Sequence, residues 1–261
     1  MNILKREWKS YQKQLIYWSI GLLALIMVAF YKVGGLNSVP GGIEDVLASL
    51  PPLLRNFFGA SNDYTSATGI YRMIHLYLII AIALHATLLG ASIFAKEELD
   101  KTCEFLYVKG IKRTKILALK VSAGLSMLLF IDIVCSVGVV LSLVAMKMAL
   151  DVMALLPYLF SIVLVQVFFF AITLLLSVAL KYNRKAGSIG CGIVFVMLFI
   201  NLYAKMGGNI ELLDALTIFH YVDASFIDSC PYGGISSIII LFLSILCFII
   251  ASYLHEHRDL L

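Results

Sequence analysis

The sequence predicts an all-α membrane protein of six transmembrane helices with both termini in the cytoplasm. Three observations carry that prediction. The chain is 61% hydrophobic and only 14% charged, where a soluble domain has roughly 45–50% apolar and about 25% charged residues. Six apolar runs reach about the 20 residues a helix needs to cross the hydrocarbon core. The basic residues gather on alternate connections between those runs.

The runs are Ile16–Val33, Ile70–Phe94, Leu117–Met146, Met153–Leu180, Ala186–Ala204 and Ile235–Leu254. Helices are the expected spanning element, because backbone polar groups in lipid must be satisfied within the segment. The ten-residue alternation of a membrane β-barrel is missing from the sequence. No stretch is polar enough to fold as a separate soluble module, so residues 1–261 read as one transmembrane domain.

Residues 1–15, "MNILKREWKSYQKQL", are basic and amphipathic. Leu4, Trp8, Tyr11 and Leu15 recur at helical spacing, with Lys5, Arg6, Lys9 and Lys13 on other faces. Such a helix is expected to lie in the inner membrane interface, next to anionic headgroups; equally, the cations serve as a plain topology signal. The apolar run that follows is long and lacks a small-residue cleavage pattern, so it is expected to be retained as the first span.

Orientation follows from Lys and Arg. With the N-terminus inside, the inner segments hold Lys5, Arg6, Lys9 and Lys13; Lys96, Lys101, Lys109, Lys112, Arg113, Lys115 and Lys120; Lys181, Arg184 and Lys185; and Arg258. Fifteen of the twenty basic residues are then cytoplasmic, as the positive-inside rule requires. The net charge of +4 is mostly this asymmetry, so it gives no sign of nucleic-acid binding.

Two outer loops are long. Residues 34–69 are broken by Gly34-Gly35, Pro40-Gly41-Gly42 and Pro51-Pro52, with Ile43, Val46, Leu47 and Leu50 at helical spacing between the breaks. Short helices capping the bundle or lying in the outer interface are expected there. Residues 205–234 carry Glu211, Asp214, Asp223 and Asp228 among Leu212, Leu213, Leu216, Phe219 and Tyr221. This loop either re-enters the outer leaflet against protein or is a solvated acidic connection.

The inner connection 96–115 is longer than a simple crossover needs. Leu99, Cys103 and Leu106 form one stripe, Glu97 is placed to pair with Lys101 at i+4, and Gly110 ends the helix. A new helix then runs through Ile116 toward the third span. A short helix of mixed charge between two spans is suited to a groove on a soluble partner. It reads equally well as a solvated basic loop.

Within the spans, Asp132 stands out. A charged group at mid-bilayer costs about 2.5–3.5 kcal/mol, so it faces protein or water, or is protonated. Asp132 and His85 are candidates for a translocation path or a proton relay; the alternative is bonding between helices. For Gln166 and Asn201 helix bonding is the expectation, and Gly187, Ser188, Gly190 and Gly192 are expected to permit close packing. The five cysteines show neither metal-ligand spacing nor a disulfide pattern. His255-Glu256-His257 is no metal motif, since two His two residues apart diverge on a helix.

The stretch "EELDKTCEFLYVKGIKRTKILALK" resembles the signature after the second span in permeases of type-2 ABC transporters. The matching residues are Glu97, Glu98, Thr102, Glu104, Phe105, Leu106, Ile111, Arg113, Ile116 and Lys120. Lys101 stands where the family commonly has Gly, and Gly110 where it has Pro. "LPPLLRNFFGASNDY" (Leu50–Tyr64) is similar to the first outer loop of one branch of that family. Arg258-Asp259-Leu260 is similar to its usual terminus. The resemblance covers the whole chain.

It implies an ATP-driven exporter subunit of the cytoplasmic membrane, without enzymatic activity of its own. The coupling helix would lie within Glu97–Val108 and dock on a separate cytoplasmic ATPase. Two permeases, two copies of this chain or this chain and a related one, would assemble with two ATPases. The last outer loop would form short re-entrant helices. ATP and Mg would bind the partner, and no cofactor is expected here. The chain indeed has no Gly-x-x-x-x-Gly-Lys-Ser/Thr phosphate loop. The alternatives are an ion-coupled carrier working alone, with Asp132 as coupling site, and an intramembrane enzyme. The enzyme would have only His75, His85 and Asp132 as raw material.

Overall fold

The computed structural model describes residues 3–36, 51, 66–99, 113–148, 151–180, 184–206 and 210–257. They form α1 (Ile3–Leu36), α2 (Ala67–Leu99), α3 (Arg113–Ala145), α4 (Val152–Ala179) and α5 (Arg184–Lys205). Three short helices follow: α6 (Glu211–Asp214), α7 (Ile218–Tyr221) and α8 (Ala224–Ser229). A 3-10 turn (Pro231–Gly233) leads into α9 (Gly234–His257). Six of these helices, α1–α5 and α9, are long and apolar enough to cross a membrane. The six expected spans are therefore all helices, and no strand occurs among the described residues.

The core is built on α2 and α4. Ser161 meets His75, and Ser177 donates to the carbonyl of Ala91. Both pairings join residues 86 apart in sequence, so the two helices run parallel in constant register. Small residues allow the close approach. A Cβ on Gly90 would fall 2.7 Å from the carbonyl oxygen of Phe170. The sequence reading located glycine-mediated packing only at the head of α5. There Gly190 does face Thr87 and Thr173, whereas Gly192 faces open space.

Around this pair, α1 packs on α3, α5 on α2, and α9 on α4. The outward faces stay apolar. On α9, Ile235, Ile238, Phe242, Ile245, Ile249 and Tyr253 are all exposed. A contiguous surface of that kind is intolerable in water and natural in lipid.

Residues 3–15 are helical and amphipathic as expected, but they are not a separate element. They run unbroken into the first span, making α1 34 residues, about 51 Å long at 1.5 Å per residue. Their apolar stripe faces protein rather than headgroups: Tyr11 and Leu15 are buried, and the Trp8 indole N–H donates to Ser126 Oγ of α3 at 2.9 Å. Lys5, Lys9 and Lys13 are left exposed. Likewise α1 carries through Gly34-Gly35 to Leu36, beyond the expected span end.

Candidate functional site

The start of α1, the end of α2, the start of α3 and the end of α9 meet at one end of the bundle. Lys96, in the last turn of α2, reaches α1 three ways. Its ammonium is 3.8 Å from Glu7 Oε2, donates to Ser10 Oγ and lies 5.4 Å from the Tyr11 ring centroid. Glu7 is fully buried and also pairs with Arg6 at 2.9 Å. A buried carboxylate is tolerable only when paired in this way. Lys120 of α3 donates to the Ile93 carbonyl of α2 at 2.7 Å, while Phe94 stacks edge-on against His255 of α9 at 4.9 Å.

Four spans are thus tied together where the connection 96–115 leaves and rejoins the bundle. Glu97 and Glu98 prolong α2 without a break, and Arg113 is the first residue of α3. Thr102, Glu104, Phe105, Leu106 and Ile111 lie outside the described residues. Lys120, placed by the sequence among the inner-side cations, is buried in the protein. With Ile116, also buried, it docks α3 onto α2. The last two residues of the motif therefore pack helices.

The opposite end is closed by α6–α8. Ile218, Phe219, Val222 and Ile227 are buried against the bundle, whereas Leu212 and Leu216 face outward. Each described carboxylate of this loop anchors to a helix. Asp214 accepts from Asn201 Nδ2 at 2.9 Å and lies 2.7 Å from His220 Nδ1. Asp223 pairs with Lys205 at the end of α5 and caps α8. Asp228 pairs with Arg72 of α2 at 2.6 Å and accepts from the Tyr158 hydroxyl of α4. Burial works against ionisation of Asp223, but the charge and hydrogen bond of Lys205, with two bonds from Ser225, outweigh it. Its carboxyl is held below the usual range.

His75 sits beneath this layer. Its Nε2 is 3.2 Å from both the Val222 carbonyl oxygen and Ser161 Oγ. A carbonyl only accepts, so Nε2 carries the proton. Arg72, His75, Lys205 and Asp223 also line a cavity of about 20 Å³, the size of one water. The sequence pointed to these loop acids but not to their partners Arg72 and Lys205. The pairs themselves join residues far apart in the chain, which no local spacing reveals.

The other two candidates lie apart. His85 of α2 is buried edge-on to Trp18 of α1, with centroids 5.1 Å apart. Neither ring nitrogen has a hydrogen-bond partner among the described residues. Asp132 of α3 borders a cleft of about 310 Å³ against α4, but its carboxyl oxygens are buried. Both are also without a partner among the described residues. Asn201 makes the bond expected of it, to α6; neither amide atom of Gln166 has one among the described residues.

The sequence profile described as ABC-2 family transporter protein matches residues 1–260. The chain belongs to the ABC-2 transporter family. No curated protein and no solved structure matches it. As an ABC-2 permease it is a multi-pass membrane protein and a transport component. The cluster around Lys96 therefore adjoins the connection in which the resemblance expects the coupling helix.

Proposed function

We propose that this ABC-2 permease exports its substrate across the cytoplasmic membrane, driven by a separate cytoplasmic ABC ATPase. That ATPase docks on residues 96–115, where Glu97, Glu98, Thr102, Glu104, Phe105, Leu106, Ile111 and Arg113 form the contact. ATP and Mg are held by the ATPase, and a second permease completes the pathway.

The observation carrying this reading is that Lys96 is clamped to α1 by Glu7, Ser10 and Tyr11. A push on the connection would pass into α1 and α2 rather than dissipate in a slack loop. The lysine–carbonyl bond at Lys120 would pass it into α3. The same end carries the exposed Lys5, Lys9 and Lys13, as the cytoplasmic face of a membrane protein should.

The test is co-expression with a candidate ATPase, measuring complex formation and ATP turnover. Charge reversal at Glu97, Glu98 and Glu104 together is expected to abolish both. Intact assembly and transport in that triple variant would sink the coupling role.

A further inference from the structure

The base of α1 carries a row of cations that faces away from the bundle. Lys5, Lys9 and Lys13 recur every four residues, so they share one face of the helix, and all three are exposed. Successive members are about 6 Å apart along the axis. Glu7, the only carboxylate of this stretch, is turned inward to Arg6 and Lys96. Among the described residues, neither Lys9 nor Lys13 pairs with a carboxylate.

Beside that row, α1 and α3 part to leave a groove of about 410 Å³. Lys9 and Gln12 line its polar end, and Leu15, Ile16 and Phe130 line the rest, with Trp8 between the two helices. The Trp8 indole is fixed by its bond to Ser126, and its ring lies edge-on to Phe130 with centroids 5.7 Å apart. One turn further along, Ile20 of α1 and Ile133 of α3 are both exposed, so the apolar track continues into the span.

Cations at one end and an apolar track leading from them match one class of ligand. A lysine keeps its ammonium at headgroup level while its stem lies along apolar surface, and there it attracts anionic lipid. A neutral lipid would use the track and leave Lys9 unmatched. A free phosphate would use Lys9 and leave the track empty.

We propose that the groove between α1 and α3 binds an anionic phospholipid. Lys9 and Gln12 hold its phosphate, with Lys13 one turn away, and an acyl chain lies along Ile16 and Phe130 toward Ile133. The bound lipid bridges α1 and α3. The site goes beyond the transport reading, which enters only in placing the lipid in the inner leaflet.

The test titrates the full-length permease, delipidated in maltoside micelles, with dioleoylphosphatidylglycerol or dioleoylphosphatidylcholine. These lipids share their chains and differ in headgroup charge. The melting temperature is followed, and native mass spectrometry detects retained lipid. The wild type is expected to be stabilised saturably by phosphatidylglycerol, which it retains, and little by phosphatidylcholine. Lys9→Gln combined with Lys13→Gln is expected to raise the half-saturating concentration about tenfold, and Lys9→Arg to keep it within a few-fold. Ile16→Trp, which fills the groove and leaves the charges, is expected to weaken the effect as well. Lys32→Gln, at an exposed cation near the other end of α1, is expected to leave it unchanged. A cooperative melt without added lipid checks that each variant is folded.

Equal stabilisation by both lipids, equal stabilisation by glycerol 3-phosphate, or an unchanged half-saturation in the double variant overturns the proposal. A neutral lipid, a free phosphate or a second copy of the chain would then account for the groove. The assay contains no ATPase, so loss of coupling leaves lipid binding intact, and loss of lipid binding leaves ATPase docking intact.

Discussion

Glu7, two turns into the chain, lies 3.8 Å from Lys96 in the last turn of α2, and its side chain is wholly buried. The pair is a direct electrostatic tie between the base of the first span and the end of the second. Removing one member of a buried pair strands the other charge, at a cost of about 3–5 kcal/mol when both are buried. Lys96 is partly exposed and Arg6 also serves Glu7, so a smaller loss, roughly 1–3 kcal/mol, is expected.

Glu7→Ala and Lys96→Ala are each expected to lower the melting temperature of the purified protein. The double variant should lose less than the sum, because the two act through one contact. Additive losses in a thermal-shift series would show that the pair is not coupled.

The tie of the last loop gives a pH dependence. The folded-state carboxyl of Asp223 titrates below its unfolded value, because Lys205 and Ser225 stabilise the anion more than burial penalises it. Its contribution is fully present above the unfolded value of about 3.9. It is lost as pH falls through the lower folded value. Hydrogen exchange across residues 211–229 is therefore expected to stay slow down to about pH 4 and to quicken below it. Lys205→Met removes the largest stabilising cause and leaves burial in place, so the acid-induced quickening should shrink or vanish. An undiminished transition in Lys205→Met would remove Asp223 from the account.

Arg72 and Tyr158 converge on Asp228 from α2 and α4, fastening α8 to the two central helices. Asp228 and Arg72 are both partly exposed, so the ion pair alone is worth no more than about 1 kcal/mol. Tyr158→Phe removes a charge-assisted hydrogen bond of about 1.5–3 kcal/mol. Limited proteolysis between α8 and α9 is expected to quicken more in Tyr158→Phe than in Arg72→Met. The reverse order would assign the anchoring to the ion pair.

Six spans were legible because each is written in local hydropathy. The continuity of α1 was not. A polar turn such as "KREWKSYQK" reads as an interfacial helix until its partners are known, and here Trp8 finds Ser126 and Glu7 finds Lys96. The partner of Lys120 was not legible for the same reason: the sequence shows a cation near a span end but not the neighbouring carbonyl that binds it. Asp132 and His85 were legible as costly residues in apolar runs. That one lines a cleft and the other lies edge-on to an indole depends on which helices adjoin, which hydropathy does not encode.

The glycines of α5 separate a packing role from mere tolerance, within two residues of each other. A Cβ at position 190 would come 2.7 Å from the methyl of Thr87 and closer still to that of Thr173. Both threonines are buried on helices that pack against α5, so neither side can yield without moving a helix. Gly190→Ala is expected to cost about 1–3 kcal/mol by overpacking. At position 192 nothing lies within 4 Å, and the helix gains from replacing glycine by alanine by up to about 1 kcal/mol. Gly192→Ala should therefore hold or raise the melting temperature and the yield of monodisperse protein, whereas Gly190→Ala lowers both. Equal behaviour of the two variants would mean that α5 does not approach α2 and α4 as closely as these distances require.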